Sequence, residues 1–101
     1  MPQQQSNLRE RTRQGFGMPS MYHVIMHNDD FTTMDFVVKV LRTVFLKDQA
    51  QAEQLMLAVH EKGQAIVGLY TYDIAVSKSQ RAMSLAREEG FPFKLTVEAD
   101  R

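Results

Sequence analysis

From Met21 to Val97 the apolar residues recur with two spacings, one suited to strands and one to helices. Met21-Tyr22-His23-Val24-Ile25-Met26 is β-branched and aromatic enough to predict a strand. Phe36, Val37, Val40, Leu41, Val44 and Phe45 then repeat at helical spacing and mark the buried stripe of a first helix. That helix is expected to start near Thr33, with Thr32 or Thr33 as its cap and Asp35 in the first turn, where a carboxylate favours the helix dipole. A second helix opens at Asp48, with Gln51 completing a capping box, and stops at Gly63. Ala52, Leu55, Met56 and Val59 are its expected buried face. Ala65-Ile66-Val67-Gly68-Leu69-Tyr70 is apolar throughout and predicts a central strand. Thr71 is placed to cap a third helix carrying Ile74, Ala75, Ala82, Leu85 and Ala86, which ends at Gly90. After Pro92, the alternation of Phe93, Leu95 and Val97 with Lys94, Thr96 and Glu98 predicts a half-exposed strand.

The order β-α-α-β-α-β, with three strands and the helices on one face, predicts an α+β two-layer sandwich over residues 20–101. Residues 1–19 differ in kind: a glutamine run, alternating charges at Arg9-Glu10-Arg11, then Gly15, Gly17 and Pro19. Low hydrophobicity and scattered glycine predict a disordered tail.

Composition narrows the function more than the fold. The chain has 101 residues, enough for one core and not for two. Twelve basic and twelve acidic residues give a formal charge of zero, which argues against recruitment of nucleic acid by a global field. The absence of cysteine removes disulfide frameworks, thiolate metal sites and thiol catalysis. No apolar leader occurs in the first thirty residues and no stretch approaches membrane-spanning length, so the expectation is a cytoplasmic protein.

The candidate chemistry lies in His27-Asn28-Asp29-Asp30-Phe31-Thr32-Thr33-Met34, a polar knot between the first strand and the first helix. A strand-to-helix loop on a rigid scaffold holds acceptor oxygens in fixed positions. The plainer reading is a turn, since Asn and Asp bond readily to their own backbone. On the second helix, Met56, Val59 and His60 share one face by their spacing, so an imidazole ends an apolar stripe. Taken singly, such a histidine is ordinary helix surface and such methionines are core fillers. Together with the loop they outline an apolar pocket whose rim carries two carboxylates, an amide and an imidazole, a set of acceptors that suits an ammonium group. A divalent metal or acid-base chemistry would use similar residues. Metal-ligand spacing is absent, however, and His23 and His27 on an extended strand stand about 13 Å apart. No nucleophile elbow, P-loop or glycine-rich fingerprint occurs. A binding protein is therefore expected rather than an enzyme, with no cofactor and no metal. A domain that shares the fold and binds proteins without a pocket, and a small metal-dependent hydrolase, are the two other classes to test.

Ser20-Met21-Tyr22-His23-Val24-Ile25-Met26-His27-Asn28-Asp29-Asp30-Phe31-Thr32-Thr33-Met34-Asp35-Phe36-Val37, with Leu55-Met56-Leu57-Ala58-Val59-His60 and Gly63-Gln64-Ala65-Ile66-Val67-Gly68, closely resembles the ClpS family. These bacterial adaptors deliver N-end-rule substrates to the ClpAP or ClpCP protease. The resemblance runs from about Pro19 to the C-terminus and implies the same β-α-α-β-α-β sandwich, acting as a monomer. It implies that Asn28, Asp30 and His60 hold the free α-amino group of a substrate beginning with Leu, Phe, Tyr or Trp, with Asp29 bracing the loop or adding negative potential. It further implies that Thr32, Met34, Val37, Met56, Val59 and Phe93 form the side-chain pocket, and that the unfoldase contact falls near Asp73 and Lys78. Two positions depart from the family pattern, which often has Pro in place of Thr33 and Leu in place of Phe93. A ring at position 93 is expected to make the pocket shallower.

Overall fold

The computed structural model describes residues 19–100, so the expected disorder of residues 1–18 lies outside the described residues. The chain forms β1 (Met21–His27), α1 (Met34–Thr43), α2 (Gln49–Lys62), β2 (Gln64–Thr71), α3 (Tyr72–Glu88) and β3 (Lys94–Ala99). The strands make one antiparallel sheet in the order β2-β1-β3. The predicted element order and α+β class are those observed.

Local signals start and stop the helices. Thr33 caps α1 by accepting the Phe36 N–H on Oγ1 at 3.2 Å. Asp48 and Gln51 close a reciprocal capping box on α2, the Asp48 carboxylate accepting from Gln51 N at 2.8 Å and the Gln51 oxygen from Asp48 N at 3.3 Å. Gly63 ends α2 at φ 88°, a left-handed conformation costly for any residue with a Cβ. Thr71 does occupy the N-cap position of α3, but its side chain makes no capping bond.

The core lies between the helices and one face of the sheet. Val24, Met26, Val67 and Leu95 from the strands meet Phe36, Val40, Leu41 and Phe45 from α1 and the segment after it, Ala52 and Val59 from α2, and Ala75, Ala82 and Ala86 from α3. On α3 the buried line is Ala75, Ser79, Ala82 and Ala86, and Ile74, expected in the stripe, is 48% exposed. One residue of helix is a rotation of about 100°, so burial of Ala75 turns Ile74 outward.

The apolar run on β2 misled in one respect: β2 is an edge strand, and β1 is the centre. Part of the run lies on the face of the sheet opposite the core, where Ile66 is 52% and Leu69 44% exposed. A register shift opposite Val24 and Ile25 leaves Val67 as the extra residue, and this bulge turns Val67 into the core. Gly68 beside it lies under the Tyr70 ring, which a Cβ at position 68 would overlap.

Candidate functional site

The sheet and α2 are tied together at the place where the polar knot begins. Asn28 leaves β1 with its backbone N–H donating to the Gly63 carbonyl at 2.9 Å, so the start of the loop is fixed to the end of α2. His60 lies in the last turn of that helix, where the dipole is negative and favours a cation.

Asp29 organises the loop. Its Oδ1 accepts the backbone N–H groups of Phe31 at 2.8 Å and Thr32 at 2.7 Å, and its Oδ2 accepts the Thr32 hydroxyl at 2.7 Å. Burial of the Asp29 carboxyl opposes its ionisation, but the backbone and hydroxyl bonds from Thr32 and the backbone bond from Phe31 outweigh it. The net effect holds the group below the ordinary aspartate range. Both oxygens are committed to the loop, which marks Asp29 as a brace. Asn28 and Asp30 remain exposed on either side of it.

A cavity of about 410 Å³ opens beneath this loop, between α1 and α2. Asn28, Asp29, Asp30 and His60 edge it, Thr32 stands at its wall, and Met34, Val37, Met56 and Val59 supply its apolar surface. Val37 and Val59 are almost fully buried and Met56 half so, whereas Met34 is 45% exposed at the lip. The structure thus brings nine of the residues expected here to one depression. Its size is within the range of about 300–1,000 Å³ usual for small-ligand sites. Thr33 and Phe31 also line it, and neither was expected to. Phe31 is 72% exposed, and a large ring inside an otherwise polar loop was the signal available.

Phe93 stands apart from these nine. It is 5% exposed in the core, with its ring edge-on to Phe36 at a centroid distance of 5.7 Å, and it is not among the cavity-lining residues. Phe91 meets the same Phe36 ring at 5.2 Å. The short segment before β3 turns Phe93 towards α1, and strand alternation in the sequence does not reveal that packing.

Asp73 and Lys78 lie on α3, away from the cavity. Asp73 is exposed in the first turn. Lys78 is half-buried: its Nζ donates to the Val44 carbonyl at 2.7 Å and stands 5.6 Å from the centre of the Tyr70 ring. It therefore closes the C-terminal end of α1 with a cation, which is a structural task in its own right.

Among the described residues, no group of three or more His, Asp or Glu side chains is placed to hold a metal ion. His27, the other imidazole of the knot, is engaged with the Thr96 hydroxyl at 2.8 Å on the sheet. What the cavity offers is acceptor atoms at the rim above an apolar floor. It also offers a helix end of favourable sign for a cation.

Comparison with known proteins gives one consistent answer. The family model described as "ATP-dependent Clp protease adaptor protein ClpS" matches residues 17–96. The Clp protease adapter protein ClpS of Syntrophus aciditrophicus is 50% identical over 80 residues, covering 79% of this chain and 75% of that protein. The ClpS of Acetivibrio thermocellus is 48% identical over 93 residues, covering 92% of this chain and 94% of its own. Among solved structures, Agrobacterium tumefaciens ClpS2 bound to L-phenylalaninamide superposes with a TM-score of 0.79 at 36% identity, over 82% of this chain and 100% of that one. With the family model spanning β1, β2, all three helices, the whole cavity and the first half of β3, this chain belongs to the ClpS family of Clp protease adaptor proteins.

Proposed function

We propose that the cavity binds the first residue of proteins that begin with Leu, Phe, Tyr or Trp, and that the protein hands them to a Clp AAA+ unfoldase of the ClpA or ClpC type with its ClpP peptidase. The single observation that carries this reading is the pairing of an acceptor rim with an apolar floor in one cavity of suitable size. An ammonium has three donors and no acceptor capacity, so the Asn28 oxygen, the Asp30 carboxylate and a neutral His60 nitrogen satisfy it directly or through water. An internal peptide N–H has one donor and no charge and cannot replace it. The ligand of the Agrobacterium ClpS2 is consistent with this chemistry, since phenylalaninamide carries a free amine and a bulky apolar side chain.

The division of labour follows from the contacts. Asp29 spends its oxygens on Phe31 and Thr32, which frees Asn28 and Asp30 for the ligand. The buried Val37 and Val59 with Met56 receive the side chain, and Met34 stands over the entrance near the ligand's β-carbon. The protein acts as a monomeric binding module in the cytoplasm, and residues 1–17 serve delivery rather than recognition. No step requires bond making, so the role is that of an adaptor and not an enzyme.

The test is a titration with a short peptide beginning with Leu or Phe beside its N-acetylated twin. The free-amine peptide is expected to bind at micromolar concentration or below and the acetylated one not at all. Equal affinity for the two would overturn amine recognition. A pocketless interaction domain would ignore both peptides, and a metal-dependent hydrolase would show a bound metal and turnover.

A further inference from the structure

A second groove, of about 300 Å³, runs between α1 and α2 beside the amine cavity. The two depressions share Met34 and Met56 as a common wall. Beyond that wall the groove has apolar sides from Val38 and Leu57 and a carboxylate on each bank, Asp35 from α1 and Glu53 from α2. The Glu53 carboxylate is steadied by Gln49, whose Nε2 donates to its Oε2 at 2.7 Å.

Distances along α2 relate the groove to a bound chain. Glu53 precedes His60 by seven residues, close to two full turns, so the two lie on nearly the same side of the helix about 10 Å apart along its axis. A peptide held by its amine near His60 and running extended over Met56 advances about 3.3 Å per residue. Its third residue thus comes about 6–7 Å along, with its side chain on the same side as that of the first, because extended chains alternate. The first side chain enters the cavity, so the third reaches the groove. We infer that this groove is a second specificity subsite, which takes the side chain of the third residue of the bound N-terminal segment and favours lysine or arginine there. A basic side chain lays its methylenes along Met56, Val38 and Leu57 and brings its charge between Asp35 and Glu53. The inference rests on the reading of the first cavity as an N-terminus site.

Three free-amine peptides that begin Leu-Ala and carry Lys, Gln or Glu at the third position, labelled at the far end, provide the test. The Lys peptide is expected to bind roughly fivefold or more tightly than the Glu peptide, as for a pair of rim charges, with the gap narrowing as salt is raised. Placing the same residues second should give a smaller ratio. Glu53→Gln should shrink the third-position ratio and Glu53→Lys reverse it, while Glu98→Lys on β3, outside the groove, changes net charge equally and should leave it as it was. Equal affinity for the Lys and Glu peptides, a ratio that Glu53→Lys does not alter, or one that Glu98→Lys alters as much, would overturn the subsite. Binding of the Gln peptide against its acetylated form reads the amine site separately: if the two bind alike, the underlying reading fails along with the subsite.

Discussion

The Asn28 N–H donates to the Gly63 carbonyl at 2.9 Å, and this bond joins the two halves of the site. Asn28 begins the acceptor loop, Gly63 ends the helix that carries His60, and neither half controls the position of the other through sequence proximity. Gly63 holds this place at φ 88° with nothing within 4 Å of where a Cβ would stand. Gly63→Ala is therefore a test of backbone conformation without steric clash. It is expected to cost about 1–2 kcal/mol of stability, read as a fall in Tm of several degrees. It should also weaken peptide binding by disturbing the Asn28 to His60 distance.

Asp30→Ala and His60→Ala should each weaken binding of a Leu-initiated peptide by more than tenfold, as expected for a lost charged bond of about 1.5–3 kcal/mol. Both residues are exposed, so the melting curve should hardly move. Unchanged affinity in either variant would remove that residue from the amine site.

Asp29 should behave in the opposite way, through structure. Its carboxyl is depressed in the folded protein, so the stability it confers is present above the unfolded value of about 3.9 and is lost as pH falls through the lower folded value. The loop should consequently keep its order through the ordinary aspartate range and loosen only below it. Asp29→Asn should destabilise the protein above pH 5 and flatten the acid limb of the stability profile. The check is a set of urea midpoints for both proteins between pH 2.5 and 7.

Met34 tests shape at the entrance. A β-branched Ile or Val has two heavy substituents at its β-carbon and little freedom about χ1, so a side chain placed over that carbon, as proposed for Met34, should exclude them while sparing Leu or Phe. Because Met34 is 45% exposed, its truncation should cost little stability, unlike a deletion in the core. Met34→Ala should gain binding to Ile- and Val-initiated peptides with a modest loss for Leu. An Ile-to-Leu affinity ratio equal to that of the parent protein would refute the gate.

Delivery should separate from recognition. Among the described residues, those lining the cavity fall between Asn28 and His60; removal of residues 1–17 should leave peptide affinity unchanged while impairing degradation by the partner protease. On α3, Asp73→Ala should alter only delivery, whereas Lys78→Ala should also lower stability, by on the order of 1 kcal/mol, through loss of its bond to Val44. Identical effects of the two α3 substitutions on the melting curve would contradict the capping role of Lys78.

Much of this molecule is legible in its sequence, because its informative signals are local. Thr33, Asp48 with Gln51, and Gly63 announce their helix ends through bonds and conformations that span four residues or fewer. The stripe on α1 needs only the helical period, and the polar knot needs only its position after a strand. Of the residues that the resemblance to the ClpS family singled out, nine line one cavity.

What the tertiary structure alone decided are relations between residues distant in sequence. An apolar run such as Ala65 to Tyr70 has the same pattern in a central strand and in an edge strand that leaves Ile66 and Leu69 exposed; only the pairing order β2-β1-β3 distinguishes them. Alternation pointed Phe93 inwards but could not say towards what, and its packing on Phe36 takes it out of the cavity. Lys78 reads as surface charge until Val44, 34 residues earlier, is brought to its Nζ. Periodicity and capping are set by neighbours on the chain, so sequence alone determines them. Strand order, ring packing and long-range bonds depend on the free energy of the whole assembled core, and no local window contains it.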